Sequence, residues 1–352
     1  MSEKSEKIKN FDPNGVGLKN GHFIGLPFEE ADASIVLVSV PWDVTVSYSA
    51  GTSTGPANIL QASAQLDLFD ADVPNAWKSG IYMRPSDGKI LESNNQLREL
   101  AKSYIDFLEN GSNLAENESM KMNLEAVNEG CENLKKWVYE QTSELLDAGK
   151  LVGLVGGEHS TPLGYLEALS ERHKSFGILQ IDAHMDLREA YEGFTYSHAS
   201  IFYNALKIKN LKQLTQVGIR DCCEEEVRLA HHDARVSVFY DWTLKEEKFV
   251  GKTWEKICKK IVKTLPEKVY ISFDIDGLLP NLCPNTGTPV PGGLTFEEAV
   301  YLLKTVLKSG RKIIGFDLCE TGGEGNEWDG NVGARVLYKL ANLMAASHHL
   351  NK

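Results

Sequence analysis

The 352-residue chain lacks the features that would point to a membrane or to a nucleic acid. It has no run of about 18 or more consecutive apolar residues, so no transmembrane helix is predicted. Its first residues, MSEKSEKIKN, are polar and lack the apolar core of a signal peptide. Basic residues are in the minority, 37 against 49 acidic ones, and the net charge is −12. The lack of these apolar segments predicts a cytoplasmic protein. The negative charge argues against nucleic-acid and membrane partners, because it does not favour phosphate backbones or anionic lipids.

Cysteine is scarce, and its spacing does not indicate a metal or redox site. The chain has six cysteines and none forms a C-x-x-C pair, which argues against a zinc ribbon and against a thioredoxin-type site. We therefore predict reduced thiols, most of them buried, as is typical of cytosolic proteins. The six are Cys131, Cys222, Cys223, Cys258, Cys283 and Cys319.

The rest of the composition is that of a folded α/β protein. Hydrophobic residues make up 42% of the chain and charged residues 24%, ordinary values for a globular protein. Short, nearly continuous apolar runs, typical of strands buried on both faces, alternate with longer amphipathic stretches. The predicted strands are 34–40, 151–157, 176–182, 211–219, 236–240, 268–276 and 312–320. The predicted helices are 54–66, 93–109, 122–148, 161–173, 197–208, 253–264, 295–309 and 331–347.

This alternation predicts a three-layer α/β/α sandwich around a central, mainly parallel sheet of about eight strands. The length allows about two domains of average size or one large α/β domain. We predict a single domain over residues 1–352, with an N-terminal extension at 1–33. The polar segment 84–121, which contains SNLAENESMK, is predicted to be an insertion that leads into the long helix. It is either a simple loop beside an outer helix, or a lid or an oligomer contact.

Clustered polar residues follow four of the predicted strands. The carboxyl ends of parallel strands lie at one edge of a sheet, where ligands bind, so topology alone brings the four groups to the same edge. Because side chains alternate along an extended segment, Asp182, His184 and Asp186 in DAHMD point to the same side. The same holds for Asp274 and Asp276 in the DID sequence. The remaining two groups are His159 in GGEHS and Glu320 at the end of KIIGFDLCE.

This set of side chains predicts a metal centre. Taken separately, GGEHS could be a tight turn with a helix cap, and DAHMD could be surface charge. Together with DID, they place four carboxylates at one buried point, which is costly without protons or cations. Imidazole and carboxylate ligands without a thiolate suit Mn²⁺ and similar divalent ions. Six ligands are enough for two ions that share carboxylates and together activate a water molecule.

The three motifs resemble the signatures of the ureohydrolase family, which includes arginase and agmatinase. That family carries GG-[DE]-H-S, D-A-H-x-D and S-x-D-x-D, and this chain has GGEHS, DAHMD and SFDIDG in the same order, within a resemblance over residues 34–347. The resemblance implies a parallel α/β/α sandwich with two manganese ions at its carboxyl edge. It implies that one ion is bound by His159, Asp182, Asp186 and Asp274. It implies that the other is bound by Asp182, His184, Asp274 and Asp276, so that two aspartates bridge the ions.

The resemblance also implies a reaction, the hydrolysis of a guanidino group to urea and an amine. Asp186 would hold the attacking water by a hydrogen bond. Glu320 lies where the family has the glutamate that binds the guanidinium, a planar group suited to a bidentate carboxylate contact. His198, in YSHAS, matches the family histidine that protonates the leaving amine, although a lone histidine is often structural.

The segment DAHMDLREAYEGFTYSHAS carries the information on substrate. It resembles the segment of agmatinase-type members, and the loop with which arginases read the α-carboxylate and α-amine of arginine is not evident. We therefore predict a small cationic guanidino substrate, first of all agmatine, which would give putrescine and urea. Glu192 could attract the cationic tail or could be a solvated loop charge. The presence of His198 disfavours a formiminoglutamase.

The chain departs from the family pattern beside the predicted guanidinium site. Agmatinases and arginases continue the last motif as E-V-N-P, whereas this chain has ETGG at 320–323 and then EGNEWDGNVGA. Topology also places Trp42 and Tyr48 near the site, either as packing or as an aromatic pocket for a compact cation. In the second case guanidine becomes a candidate substrate, and the family members that hydrolyse guanidine imply nickel as the alternative metal.

The sequence alone does not exclude other substrates or a role without catalysis. Arginine or another guanidino acid is an alternative substrate. A catalytically silent subunit, kept for binding or assembly, is the alternative from another class, but the intact ligand positions and Glu320 favour an enzyme. The family commonly forms trimers or hexamers, so we expect a homo-oligomer by analogy.

Overall fold

A computed structural model describes residues 3–323 and 327–350. Its centre is one sheet of eight strands in the order β2-β1-β3-β8-β7-β4-β5-β6, and every pair of neighbouring strands is parallel. The predicted three-layer sandwich with a parallel sheet is therefore confirmed. The strands are β1 Ile35–Val40, β2 Ile81–Met83, β3 Leu151–Gly156, β4 Phe176–Ile181, β5 Leu211–Ile219, β6 Val236–Tyr240, β7 Lys268–Asp274 and β8 Lys312–Cys319.

Helices occupy the connections between the strands, since parallel strands need long crossover connections, and one further helix lies before β1 and one after β8. Within the described residues they are α1 Glu3–Asn10, α2 Gly55–Ser63, α3 Gly88–Glu109, α4 Glu118–Asp147, α5 Leu163–Arg172, α6 Ile201–Ala205, α7 Glu224–His232, α8 Asp241–Phe249, α9 Trp254–Thr264, α10 Phe296–Lys308 and α11 Glu327–Ser347. None of these helices, in the part of the chain that the structure describes, is long and apolar enough to cross a membrane.

Each face of the sheet is covered by its own hydrophobic core. In β1, Ile35 and Leu37 belong to one core, whereas Val36 and Val38 belong to the other, as the two-residue period of a strand requires. All residues of β1 and β4 are buried, which explains why these strands read as continuous apolar runs. The sheet is thus the middle layer, and its carboxyl edge is left to the loops.

Four of these strands and helices were not predicted from the sequence, and each has a weak pattern. Helix α1 lies in the predicted N-terminal extension and buries no residue. Strand β2 has only three residues and lies at the edge of the sheet. Helix α7 is EEEVRLAHH, which buries Glu226 and packs only three partly buried apolar residues, Val227, Leu229 and Ala230, against the core. Helix α8 buries only Asp241 and Leu244. Short edge strands and polar helices carry little of the periodicity on which sequence prediction depends.

The segment 84–121 is mostly helical rather than a loop. Helix α3 begins at Gly88, five residues before the predicted start at 93, because the side chain of Asp87 accepts a hydrogen bond from the N–H of Lys89 and caps the helix. Helix α3 packs against α4 and buries Ala101 and Ile105. Between the helices lies only a short turn with one 3₁₀ element at Leu114–Glu116. Whether the segment is an insertion stays a prediction.

Candidate metal centre and catalytic cavity

Four neighbouring strands of the sheet deliver the predicted site residues to one place. Strands β3, β8, β7 and β4 are consecutive in the sheet, so their carboxyl ends lie side by side. His159 follows β3, Glu320 follows β8, Asp274 ends β7, and Asp182 follows β4. The sequence predicted a common edge for these residues, but the strand order is what makes them adjacent.

The first group of metal-binding atoms surrounds the ring of His159. Its Nδ1 lies 2.9 Å from Oδ2 of Asp182, 3.0 Å from Oδ2 of Asp186 and 3.3 Å from Oδ2 of Asp274. Although this nitrogen is buried, it has no hydrogen-bond partner of good geometry. Ligand atoms of His159, Asp182 and Asp274 lie within 4.8 Å of one another. A buried, unpaired imidazole nitrogen among carboxylates fits a divalent cation, since a cation would satisfy all of them.

The second group lies next to the first and shares one residue with it. Nδ1 of His184 lies 3.0 Å from Oδ2 of Asp276 and 3.7 Å from Oδ1 of Asp182. Asp182 therefore contacts both groups, as the predicted bridging role requires. Asp274 lies in the first group, and its Oδ1 accepts a hydrogen bond from the N–H of Asp276. A bridging role for Asp274 stays a prediction, as do the six ligand assignments.

Burial of so many acidic groups raises the pKa of some of them. Burial and the neighbouring charge of Asp182 raise the pKa of Asp186 to about 7. Burial, Asp276 and Asp182 hold the pKa of Asp274 well above its usual range. Burial lowers the pKa of His159, but the carboxylates of Asp182, Asp186 and Asp274 outweigh it, so that this pKa lies well above its usual range. These carboxylates need either protons or cations to be stable together.

A second layer of buried polar residues orients these groups. Nε2 of His159 lies 2.9 Å from the hydroxyl of Ser272, which donates a hydrogen bond of 2.7 Å to Asp317. The amide of Gln180 donates a hydrogen bond of 2.8 Å to Oδ2 of Asp182. Such contacts fix which nitrogen of a histidine faces a metal. Asp317 was not predicted as a site residue; the signal was an acidic residue inside the apolar strand KIIGFDLCE.

Glu320 is held so that one carboxylate oxygen is committed to the protein. Its Oε1 accepts a hydrogen bond of 2.9 Å from the N–H of His159, and its backbone has φ of +62°. A left-handed conformation of this kind costs a non-glycine residue about 1–3 kcal/mol and is typical of functional sites. A side-chain carbon at Gly287 would lie 3.1 Å from Oε2 of Glu320. Glycine at this position therefore leaves room beside that oxygen.

His198 lies on the wall of the same cavity. Burial, together with the charge of His184, lowers the pKa of the His198 imidazole to about 3. Its Nδ1 lies 3.2 Å from the hydroxyl of Thr45, and the ring of Tyr191 packs edge-on against it with centroids 5.9 Å apart. The structure thus brings His198 together with the predicted metal ligands and with Glu320.

Three predicted substrate contacts lie outside the cavity. The ring of Trp42 is 1% exposed and belongs to a hydrophobic core, while its backbone carbonyl accepts a hydrogen bond from the N–H of Glu158. Tyr48 is 81% exposed and does not line the cavity. Glu192 is half-buried beside α3, where burial and Glu109 raise its pKa to about 7. Neither aromatic residue forms a cation pocket, because one is buried in the core and the other projects into solvent.

The cavity has a volume of about 160 Å³ and an outer wall that the sequence did not predict. Arg188 and Tyr191 come from the DAHMDLREAYEG segment and lie in contact, 4.6 Å apart from guanidinium carbon to ring centroid. Asp221 follows β5, and the end of this strand was not predicted to contribute to the site. The remaining wall residues are Ser47, Ala199, Cys222, Glu226 and Thr288.

The departure from E-V-N-P lies beside Glu320. Thr321 and Gly322 are buried, and a side-chain carbon at Gly322 would lie 2.0 Å from the carbonyl oxygen of Asn285. Asn285 in turn donates two hydrogen bonds to the carboxylate of Asp329, from its backbone and from its side chain. The loop before Gly287 is therefore packed against the 320–323 segment. Residues 324–326 of the predicted departure lie outside the described residues.

Metal binding is expected to raise thermal stability. Removal of bound ions with a chelator should lower the melting temperature by about 5–10 °C. Ligands that bind only the folded state add a few kcal/mol to the free energy of unfolding, and each kcal/mol shifts the melting temperature by a few degrees. Calorimetry with and without Mn²⁺ measures this shift, and K⁺ at equal ionic strength is the control. An equal shift with K⁺ would contradict a specific divalent site.

Comparisons with known proteins place the chain in a family. A model described as the arginase family matches residues 33–340. The chain is 30% identical to N(1)-aminopropylagmatine ureohydrolase of Thermus thermophilus over 90% of this chain and 92% of that protein. It is 27% identical to agmatinase of Bacillus anthracis over 83% of this chain and 84% of that protein. The solved structure of proclavaminate amidino hydrolase from Streptomyces clavuligerus has the same fold, with a TM-score of 0.71 at 22% identity over 95% of this chain and 100% of that one. The chain belongs to the arginase family.

Proposed function

We propose that this member of the arginase family hydrolyses a guanidino compound with a cationic tail, first of all agmatine, at a centre of two divalent metal ions. The observation that carries the proposal is the unpaired Nδ1 of His159 among three aspartates, in the same cavity as Glu320 and His198. The names of the relatives support it, since one acts on aminopropylagmatine and another on agmatine.

The proposed metal ligands are the six predicted from the sequence, and manganese is the proposed metal. The ligands are His159, Asp182, His184, Asp186, Asp274 and Asp276. Manganese suits this mixed set of imidazole and carboxylate ligands, and nickel is the alternative. When bound, a pair of such ions makes water a nucleophile at neutral pH.

The chain's own residues would bind the guanidinium and move the protons. Because Oε1 of Glu320 is occupied by the N–H of His159, Oε2 is free to accept hydrogen bonds from the guanidinium. Asp186 would accept a hydrogen bond from the attacking water. Because its low pKa keeps the ring neutral before the reaction, His198 would first accept the proton that the attacking water releases, and would then pass it to the leaving nitrogen as the C–N bond breaks. Overall, water adds to the guanidinium carbon, and the products are urea and an ammonium ion.

The charge on the outer wall favours an amine over a carboxylate at the far end of the substrate. Asp221 carries an exposed carboxylate on this wall. Both oxygens of Glu226 accept backbone hydrogen bonds, and Nε of the neighbouring Arg188 lies 4.0 Å from one of them. Arg188 is thus partly neutralised, whereas Asp221 remains available to a cation. A cytoplasmic location and a trimeric or hexameric assembly remain proposals from the sequence.

A substrate panel tests the proposal. Agmatine and N1-aminopropylagmatine should release urea with kcat/KM at least about tenfold above that of 4-guanidinobutanoate, the matched compound with a carboxylate in place of the amine, which corresponds to about 1.4 kcal/mol. Arginine and guanidine complete the panel, and each substrate is assayed with Mn²⁺-loaded and Ni²⁺-loaded protein.

The outcomes separate the alternatives. Urea from guanidine or arginine but from neither amine-tailed compound would make the substrate assignment wrong. No urea from any compound, with two ions bound per chain, would instead indicate a silent subunit. Less than one ion per chain after loading with either metal would contradict the metal centre itself.

A further inference from the structure

The hydroxyl of Thr45 joins two groups at the edge of the cavity. Thr45 lies in the loop after β1, and its N–H donates a hydrogen bond of 2.7 Å to Oε2 of Glu158. Its O–H donates a hydrogen bond of 2.8 Å to Oε1 of the same carboxylate. Glu158 is fully buried, and the hydroxyl of Ser160 donates a third hydrogen bond to it. Both polar hydrogens of Thr45 are therefore committed to Glu158.

The same hydroxyl oxygen determines how His198 presents its ring. Oγ1 of Thr45 accepts a hydrogen bond of 3.1 Å from the backbone N–H of His198 and lies 3.2 Å from Nδ1 of the ring. A hydroxyl has one hydrogen, and here it is given to Glu158, so the oxygen can only accept from the ring. Nδ1 must then carry a hydrogen, whether the ring is neutral or protonated. Nε2 is the nitrogen that remains for the cavity.

Helix α3 holds the backbone on both sides of Thr45. The guanidinium of Arg98 donates hydrogen bonds of 3.0 Å and 2.5 Å to the carbonyls of the residues immediately before and after Thr45. The side-chain oxygen of Asn94 accepts a hydrogen bond of 2.7 Å from the N–H of Asp43. This loop is therefore tied to a rigid helix rather than left to solvent. Through these contacts, the segment 84–121 supports the loop that carries Thr45, and this role does not require it to move as a lid.

We propose that Thr45 is a positioning residue that fixes the imidazole of His198 with Nε2 toward the cavity, and that Arg98 secures the backbone of Thr45. The inference rests on the proposed function, in which His198 donates the proton to the leaving amine. It goes beyond that function because proton transfer requires only that a histidine lie within reach of the leaving nitrogen. The contact with Thr45 specifies in addition that Nε2, and not Nδ1, faces the cavity. If the ring were flipped, Nδ1 would face the cavity in place of Nε2, and part of the acid catalysis would be lost.

Two substitutions of Thr45 test the proposal. Thr45→Val keeps the shape and removes the hydroxyl, and it should lower kcat about 10–100-fold, part of the range that acid catalysis supplies, with KM changed less than about threefold. Thr45→Ser restores the hydroxyl and should return kcat to within about threefold of wild type. Metal content should be the same in all three proteins. A serine variant as slow as the valine variant would overturn the proposal.

The control is a buried threonine away from the site. Thr142 is fully buried, and its hydroxyl donates to the carbonyl of Val138 within α4. Thr142→Val removes a buried hydroxyl with the same change in shape, and its kcat should equal that of wild type. If Thr142→Val slows turnover as much as Thr45→Val does, the effect is a general loss of stability, and the proposal is wrong.

Crystal structures of wild type and Thr45→Val keep the inference separate from the proposed function. In the variant, the ring of His198 should rotate or become disordered, while His159 and Asp274 stay in place. An unchanged ring would overturn the inference even if the enzyme is active. Absence of urea production by the wild-type enzyme would instead overturn the proposed function, and the orientation of the ring would still be tested by the structures.

Discussion

Replacement of Asp274 by alanine should remove metal and activity together. Because its carboxylate lies in the first group of metal-binding atoms, its loss should leave well under one ion bound per chain of the two expected. Turnover should fall about a thousandfold, since the ions supply several kcal/mol of transition-state stabilisation. Elemental analysis of the loaded protein and a urea assay measure the two effects.

Without metal, the Asp274→Ala substitution should not lower the stability of the fold. In the absence of ions, burial and the neighbouring aspartates hold the pKa of Asp274 well above its usual range, so this carboxyl opposes folding when it is ionised. Asp274→Ala without metal should therefore melt no lower than metal-free wild type at neutral pH, unless the cavity left by the side chain dominates. Asp274→Asn, which leaves no cavity, separates these two contributions.

His198→Ala is the matched comparison. His198 lies on the wall of the cavity but in neither group of metal-binding atoms, so its loss should lower turnover about 100-fold or more while two ions stay bound. Equal loss of metal in His198→Ala and Asp274→Ala would contradict the proposed division between a metal ligand and a proton donor.

Much of this site could be predicted because its chemistry is local in sequence. The DAHMD segment follows β4 and the DID segment begins at the end of β7, so both lie at the carboxyl end of a buried strand. The predicted two-residue period does not continue through them, because Asp186 has φ of +52° and Ile275–Gly277 form a 3₁₀ turn. The carboxyl edge of a parallel sheet then brings them together. The order of the strands is not local, and it depends on packing over the whole sheet. It alone places β8, with Glu320, between β3 and β7.

The wrong or missing predictions have a common physical cause. Proximity to a strand end placed Trp42 and Tyr48 near the site, but it does not specify on which side of the chain a loop residue points. Trp42 faces the core and Tyr48 faces solvent, whereas Ser47 between them in the loop faces the cavity. The contacts of Thr45 with Glu158 and His198 span 113 and 153 residues, so no local pattern reveals them.

Replacement of Glu320 by glutamine should abolish most of the activity without loss of metal. The glutamine oxygen can still accept the N–H of His159, so the amide nitrogen would take the place of Oε2 and present hydrogens to a guanidinium that has only donors. Loss of a buried charge partner costs about 3–5 kcal/mol, so kcat/KM should fall by about two to four orders of magnitude.

Stability distinguishes this loss from a general disturbance of the fold. Burial and the charge of Glu158 hold the pKa of Glu320 well above its usual range, so the neutral amide should not lower the melting temperature. Glu298 is the control, since it is half-buried, forms an ion pair with Lys248 and caps α10, away from the cavity. Glu298→Gln should lower the melting temperature and leave kcat/KM within about twofold, the opposite pattern. If both variants lose stability and activity in parallel, Glu320 supports the fold rather than the substrate.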